Sequence, residues 1–227
     1  MPAPRAVVLL SGGMDSATCL AVAVHDGFEA HALTVRYGQR HGVEVDRARL
    51  IAKGLGAAAH RILEVDLASP GASSLTDPAL DVPRATTHDE IGSTIPSTYV
   101  PARNTVLLAV ALSWAEALGA HDLFLGVNAV DYSGYPDCRG EFLEAFERLA
   151  NVATRSGVEG RPFRIHAPLL TLSKAAIVLR AAELGVDLSV TVSCYDPSPQ
   201  GVPCGACDAC RLRVRGFREA GIRDPAL

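Results

Sequence analysis

The chain has 227 residues, of which 48% are hydrophobic and 20% charged, with a formal net charge of −4. This suits one large α/β domain, alone or with a small appendage, and the acidic balance gives no global attraction to nucleic acid. The longest apolar run, Val106 to Leu112, is far below the ~20 residues of a membrane span, and an N-terminus without a charged region and cleavage site reads as cytoplasmic.

Short β-branched runs alternate with longer helical stretches, the pattern of a parallel sheet with helices on both faces. The first strand is expected at Arg5–Leu10 and the first helix at Ala17–His25. Between them stands Ser11-Gly12-Gly13-Met14-Asp15-Ser16. Two adjacent glycines let the backbone bend without a Cβ clash, and small residues expose successive N–H groups at a helix start, where partial positive charge collects. That is a phosphate site in outline. No lysine follows Gly13, so it is not a Walker loop, and the Rossmann fingerprint is missing as well.

Further strands are expected at Ala30–Val35, Arg61–Val65, Leu123–Val127 and, more weakly, Arg164–Ala167. Helices are expected at Val43–Leu55, Thr105–Leu118, Arg139–Ala153 and Ser173–Leu184. The Thr105–Leu118 helix is apolar nearly all round and is expected to be buried. Gly54-x-Gly56-x-x-Ala59 ends a helix and precedes a strand, the reverse of a dinucleotide motif, and reads as a helix C-cap. Residues Ser69 to Pro101 are rich in Pro, Ser, Thr and Asp, and predict a long mobile flap that is ordered near its end.

Six cysteines in a cytoplasmic setting point to metal ligation or chemistry rather than disulfides. Cys194, Cys204, Cys207 and Cys210 bring four soft ligands into one segment. The spacing suits a closed tetrahedral zinc site, with an iron–sulfur cluster as the rival. Behind them Arg211, Arg213, Arg215 and Arg218 form a basic run on a helix, read as a solvated face or an anion clamp rather than a nucleic-acid surface. Cys19, one turn into the first helix, and Cys138, in a loop, lie outside the metal set. Residues 1–188 are expected to form the catalytic domain and residues 189–227 a cysteine-rich zinc-binding segment.

Ser-Gly-Gly-x-Asp-Ser behind an opening strand resembles the PP-loop of the ATP pyrophosphatases, which cut ATP between its α and β phosphates. Several further segments resemble, in order, the 7-cyano-7-deazaguanine synthase family of queuosine-pathway ligases. They are Tyr37-Gly38-Gln39-Arg40-His41, Val100-Pro101-Ala102-Arg103-Asn104, Gly126-Val127-Asn128, the run from Asp131 to Arg139 that contains Ser133-Gly134-Tyr135-Pro136-Asp137-Cys138, and the terminal cysteines. One departure is Ala102, where that family usually has Gly.

The resemblance implies a Rossmann-like parallel sheet of the adenine nucleotide alpha hydrolase type, with a small C-terminal zinc-binding segment. It implies conversion of a 7-carboxy-7-deazaguanine and ammonia to the nitrile with ATP and Mg²⁺, in a homodimer. The nucleotide stretch falls on Leu10, Ser11, Gly12, Gly13, Met14, Asp15, Ser16, Ala17, Thr18, Cys19 and Leu20, with Asp15 near Mg²⁺. Asp15, Ser16, Lys174 and Arg103 are the expected catalytic residues. Lys174 is either the cation that reaches the phosphates or an exposed first-turn lysine, and Arg103 and Asn104 open their helix and reach phosphate or substrate, unless Asn104 only caps it. Gln39, Asn104, Asn128, Asp131, Tyr132 and Tyr135 are expected around the purine, with Asp131 a second metal ligand or a partner for the ring's donors. Zinc falls to Cys194, Cys204, Cys207 and Cys210. Two other functions fit parts of the sequence: a tRNA-thiolating PP-loop enzyme, and a non-catalytic zinc module that binds nucleic acid.

Overall fold

The computed structural model describes residues 2–84, 95–128 and 134–226. Asp131 and Tyr132, assigned above to the purine pocket, lie outside the described residues. Among these residues the elements run β1 (Arg5–Leu9), α1 (Met14–His25), β2 (Glu29–Arg36), α2 (Val43–Gly54), β3 (Ala59–Glu64), α3 (Arg103–Leu118), β4 (Asp122–Phe124), α4 (Gly140–Ala153), α5 (Arg155–Val158), β5 (Arg164–His166), α6 (Lys174–Glu183) and α7 (Asp208–Ala220). The strands form one parallel sheet in the order β3-β2-β1-β4-β5. The expected strands and helices are all present, with ends displaced by up to three residues: α1 starts three residues before Ala17, and β4 ends three residues before Val127.

β1 is central because its side chains are apolar on both faces, as a strand covered twice requires. Ala6 and Val8 join Leu20, Ala48, Ile177 and Phe217 in one core, beneath α1, α2, α6 and α7. Val7 joins Leu33, Leu108, Trp114 and Phe146 in the other, beneath α3 and α4. Leu20, Leu33, Leu108 and Ile177 are wholly buried, each contributing roughly 1.5–3 kcal/mol. β1 pairs with β2 on one side and β4 on the other. The chain therefore leaves the sheet in opposite directions here, and the strand ends open a crevice.

α3 departs from the expectation of full burial. It starts at Arg103, and Thr105, Ala109, Ser113 and Ala117 face solvent while Leu108, Ala111, Leu112, Trp114 and Ala115 face the sheet. The many small residues make the sequence look uniformly apolar, whereas the large side chains occupy one face. Gly54 ends α2, and Gly56, at φ 72°, follows it with Ala57 N–H bonded to the Ala52 carbonyl. The C-cap reading of that motif therefore holds.

The long connection after β3 is ordered at its start as well as near its end. Ser73, Ser74, Leu75 and Thr76 are buried, Ser74 N–H donates to the Ser97 carbonyl (2.8 Å), and the Arg40 guanidinium donates to the carbonyls of Asp77 and Leu80. The middle of the expected flap, residues 85–94, lies outside the described residues.

The basic run on α7 also needs correction. Arg213 is 4% exposed and holds Asp224 through two bonds (2.6 and 2.9 Å) while donating to Thr191 and the Leu188 carbonyl. It is an internal tie, not part of a solvated face. Of the run, Arg211 and Arg218 are exposed, and Arg215 pairs with Glu219.

Candidate active site

Over the C-terminal ends of β1, β2 and β4 lies a cavity of about 330 Å³ that joins most of the expected site residues. Its floor is the loop after β1. Gly12 has φ 89°, and a Cβ there would sit 2.3 Å from the Glu44 carbonyl oxygen at the start of α2. Gly126, just beyond β4, is the second contact requiring a missing side chain, since a Cβ would stand 2.8 Å from the Asp15 carbonyl. These two absences let α1 begin tight against the sheet, with the residues of its first turn, Met14, Asp15 and Ser16, lining the cavity.

The loop is braced from within. Ser16 Oγ donates to the Gly13 carbonyl (3.0 Å) and accepts from Ser11 N–H (3.1 Å), and the two serine hydroxyls are 3.0 Å apart. From the C-terminal segment, Val192 N–H donates to the Gly12 carbonyl (3.0 Å) and Ser193 Oγ accepts from Met14 N–H (3.4 Å). Leu10, Ser11, Gly13, Met14, Asp15 and Ser16 line the cavity. Ala17, Thr18, Cys19 and Leu20, the far end of the expected nucleotide stretch, are wholly buried beneath it. Burial pushes the Cys19 thiol well above its ordinary range.

Lys174 is placed by α6, whose N-cap Ser173 accepts from Ala176 N–H (3.2 Å). Its Nζ donates to Asp15 Oδ2 at 2.7 Å, so it is not an exposed first-turn lysine. α7 permits this because Gly216 faces Lys174: a Cβ at 216 would lie 2.5 Å from Lys174 Cγ. Asn128 Nδ2 donates to the carbonyls of Leu169 and Leu172, tying the end of β4 to the turn that delivers Lys174.

The opposite end of the cavity is aromatic and cationic. The Arg103 guanidinium lies 5.8 Å from the Tyr37 ring centre and 5.9 Å from that of Tyr135, within cation–π range. Burial works against its charge, but Tyr37, Tyr135 and Cys138 hold it above its ordinary pKa. Tyr135 Oη meets Thr98 Oγ1 at 2.8 Å. Asn104 does not act as a helix cap. Its Nδ2 donates to the Asp137 carbonyl (2.9 Å) and Cys138 Sγ (3.2 Å), and its N–H donates to Asp137 Oδ2 (2.9 Å). The Cys138 thiol is pushed up to about 11 by burial, with Arg103 pulling the other way, so at neutral pH it is a protonated wall rather than a nucleophile.

Gln39 Oε1 accepts from Tyr37 N–H (2.8 Å), which turns its amide nitrogen toward Glu44 as a donor. Glu44 was not singled out in the sequence because a glutamate in a helix's first turn reads as a solvated partner of the dipole. Here it lines the cavity, and burial raises its carboxyl to about 7 against the opposing pull of Arg103 and Gln39. Ser193 was likewise missed, standing 179 residues from its partner Met14. Its one sequence signal is its place directly before Cys194.

The sulfur atoms of Cys194, Cys204, Cys207 and Cys210 all lie within 4.8 Å of one another, with Cys194–Cys207 and Cys204–Cys210 both at 4.0 Å. A tetrahedron of ~2.3 Å zinc–sulfur bonds has edges of roughly 3.8 Å, so the set fits. The amides of Tyr195, Asp196, Cys204 and Cys207 donate to these sulfurs at 3.2–3.5 Å, which favours thiolates. Asp15, facing the cavity with 26% of its side chain exposed, fits a carboxylate that shares a divalent cation with a polyphosphate.

The sequence model of the family described as queuosine biosynthesis protein QueC matches residues 5–221. The chain belongs to the QueC family. A QueC relative from Anaeromyxobacter sp. (strain Fw109-5), named 7-cyano-7-deazaguanine synthase, is 64% identical over 226 residues, covering 100% of this chain and 97% of its own. One of the same name from Stenotrophomonas maltophilia (strain K279a) is 60% identical over 98% of both chains. Among solved structures, the QueC fold is similar to NMN synthetase from Francisella tularensis, with a TM-score of 0.50 and 18% identity, covering 98% of this chain and 79% of that one. It is also similar to a 4-thiouridine synthetase solved with RNA and ATP, with a TM-score of 0.53 and 19% identity, covering 95% of this chain and 53% of that one. Those two likenesses extend to the fold.

Proposed function

We propose that the chain is an ATP-dependent ligase that converts 7-carboxy-7-deazaguanine and ammonia to 7-cyano-7-deazaguanine. The observation that carries this is one continuous cavity with the Gly12–Ser16 loop and the Asp15–Lys174 pair at one end and Arg103, Tyr37 and Tyr135 at the other, in a chain whose 60–64% identical relatives bear that name.

The chemistry requires such a site. A carboxylate is a poor electrophile with a poor leaving group, so its oxygen attacks the α-phosphorus of ATP and pyrophosphate leaves. Ammonia then displaces AMP and gives the amide. The amide oxygen is removed the same way: a second adenylation makes it a leaving group, and loss of AMP and of the nitrogen's protons leaves the nitrile. In both rounds Gly13 N–H, the start of α1 and Lys174 would hold the departing pyrophosphate, where negative charge grows. Mg²⁺ beside Asp15 would supply charge screening on the triphosphate. Arg103, flanked by Tyr37 and Tyr135, would hold the substrate at the far end, with Gln39, Asn128 and Tyr135 beside the purine. Cys194, Cys204, Cys207 and Cys210 would hold zinc as four thiolates, a ligand set that suits a structural role. Residues 1–188 carry the chemistry in this reading and residues 189–227 hold the metal, in a cytoplasmic homodimer.

The test is product analysis by mass spectrometry after mixing protein, Mg-ATP, ammonium and 7-carboxy-7-deazaguanine. Nitrile should appear with two AMP and two pyrophosphate for each molecule formed. AMP without nitrile would reassign the acceptor, and no ATP turnover in metal-replete protein would sink the reading.

A further inference from the structure

We propose that Glu44 is the general base of the nitrogen steps, taking protons from ammonium and from the nitrogen that becomes the nitrile. The inference rests on the ligase function proposed above. α2 is fixed against the phosphate loop by the missing side chain at Gly12, which brings the Glu44 carbonyl oxygen 2.3 Å from where a Cβ would be. The Glu44 backbone therefore sits directly against the loop proposed to hold the leaving pyrophosphate. Its side chain lines the same cavity as Ser11, Asp15 and Arg103, and Gln39, held by Tyr37 N–H, donates to it.

The reaction needs such a group. Ammonia is mostly ammonium at neutral pH and has no lone pair until a proton is removed. Attack on the acyl adenylate releases AMP and one proton: RCO–OAMP + NH₃ → RCONH₂ + AMP + H⁺. The second round releases two more, as RCONH₂ + ATP → RC(=NH)–OAMP + PPᵢ + H⁺ and then RC(=NH)–OAMP → RC≡N + AMP + H⁺. The other titratable or charged groups around the cavity are less suited. Asp15 and Lys174 are paired with each other, Arg103 stays charged, and burial raises Tyr37 and Cys138. His41 bonds Asp196, and Arg40 is turned toward the carbonyls of Asp77 and Leu80. Burial lifts the Glu44 carboxyl to about 7, near the pH at which a base both holds and gives up protons readily.

The first adenylation uses a carboxylate oxygen and needs no base, which separates this role from others. In Glu44→Gln, exchange of labelled pyrophosphate into ATP driven by 7-carboxy-7-deazaguanine should stay near the wild-type rate, while amide formation from ammonium falls about 10²–10⁴-fold. The acid limb of the amidation pH profile should disappear, Glu44→Asp should restore part of the rate and that limb, and the defect should shrink with hydroxylamine, a weakly basic nucleophile. Unchanged amidation in Glu44→Gln would overturn the proposal. So would loss of acid-driven exchange through a raised KM for the acid, which would make Glu44 a holder of the purine's N–H donors. Absence of exchange in the wild type would instead defeat the ligase reading itself.

Discussion

Ala102 shows how one residue carries a cost the rest of the fold absorbs. It precedes α3 in the left-handed region at φ 54°, with its N–H donating to Tyr99 Oη (3.1 Å). A Cβ there costs roughly 1–2 kcal/mol, partly offset by the lower unfolded-state entropy of alanine. Ala102→Gly should raise stability by about 0.5 kcal/mol in denaturant melts without changing turnover. Glu44 makes a prediction of opposite kind. Its folded carboxyl is raised from 4.5 to about 7, so between those values the native state binds more protons than the unfolded one. Stability from this group is then present below pH 4.5 and lost as pH rises through 7. The unfolding free energy of Glu44→Gln relative to wild type, read from denaturant melts, should therefore climb between pH 5 and pH 8 by an amount on the order of 2 kcal/mol. A constant difference across that range would contradict the buried carboxyl.

At the scale of elements, α7 is held by contacts its composition conceals. Arg213 and Asp224 form a bidentate pair, each with 5% of its side chain exposed, and Thr191 and Leu188 accept from the same guanidinium. Removing one partner of a buried pair costs about 3–5 kcal/mol, mostly by stranding the other charge. Asp224→Ala should show that loss in urea melts, whereas Arg213→Met combined with Asp224→Leu should recover much of it. The sequence could not display this arrangement. Arginines at 211, 213, 215 and 218 look alike in a line, and what draws Arg213 inward is its shared helix face with Phe217 and the distant Asp224. The glycine turn after β1 and the clustering of the cysteine quartet were legible because their residues are adjacent or closely spaced and chemically unusual. The burial of α3 was misjudged because alanine and serine count as compatible with an interior yet fill none of it. Lys174 was legible as a cation at a helix start, but its partner, 159 residues away, was not.

At the scale of the molecule, the cysteine site and the phosphate loop form one mechanical unit. Cys194 is two residues from Val192, whose N–H holds the Gly12 carbonyl at 3.0 Å, and adjacent to Ser193, which accepts from Met14 N–H at 3.4 Å. Stripping the metal should loosen both bonds, each contributing ~1 kcal/mol. Calorimetry should then show ATP binding weakened by about tenfold or more, with recovery when zinc is returned. If metal-free protein stays folded and binds ATP as before, the two sites are independent.

Gly216 sets a limit that sequence change must respect. Its absent side chain leaves the gap through which the Lys174 methylenes pass, so any larger residue at 216 competes for space with the cation that meets Asp15. Gly221, Gly160 and Gly119 have open space where a Cβ would go. In a library covering every position, these three should accept asparagine with little loss of function, while position 216 rejects even alanine. A glycine deep in an arginine-rich helix would thus prove as intolerant of replacement as Gly12 in the turn after β1.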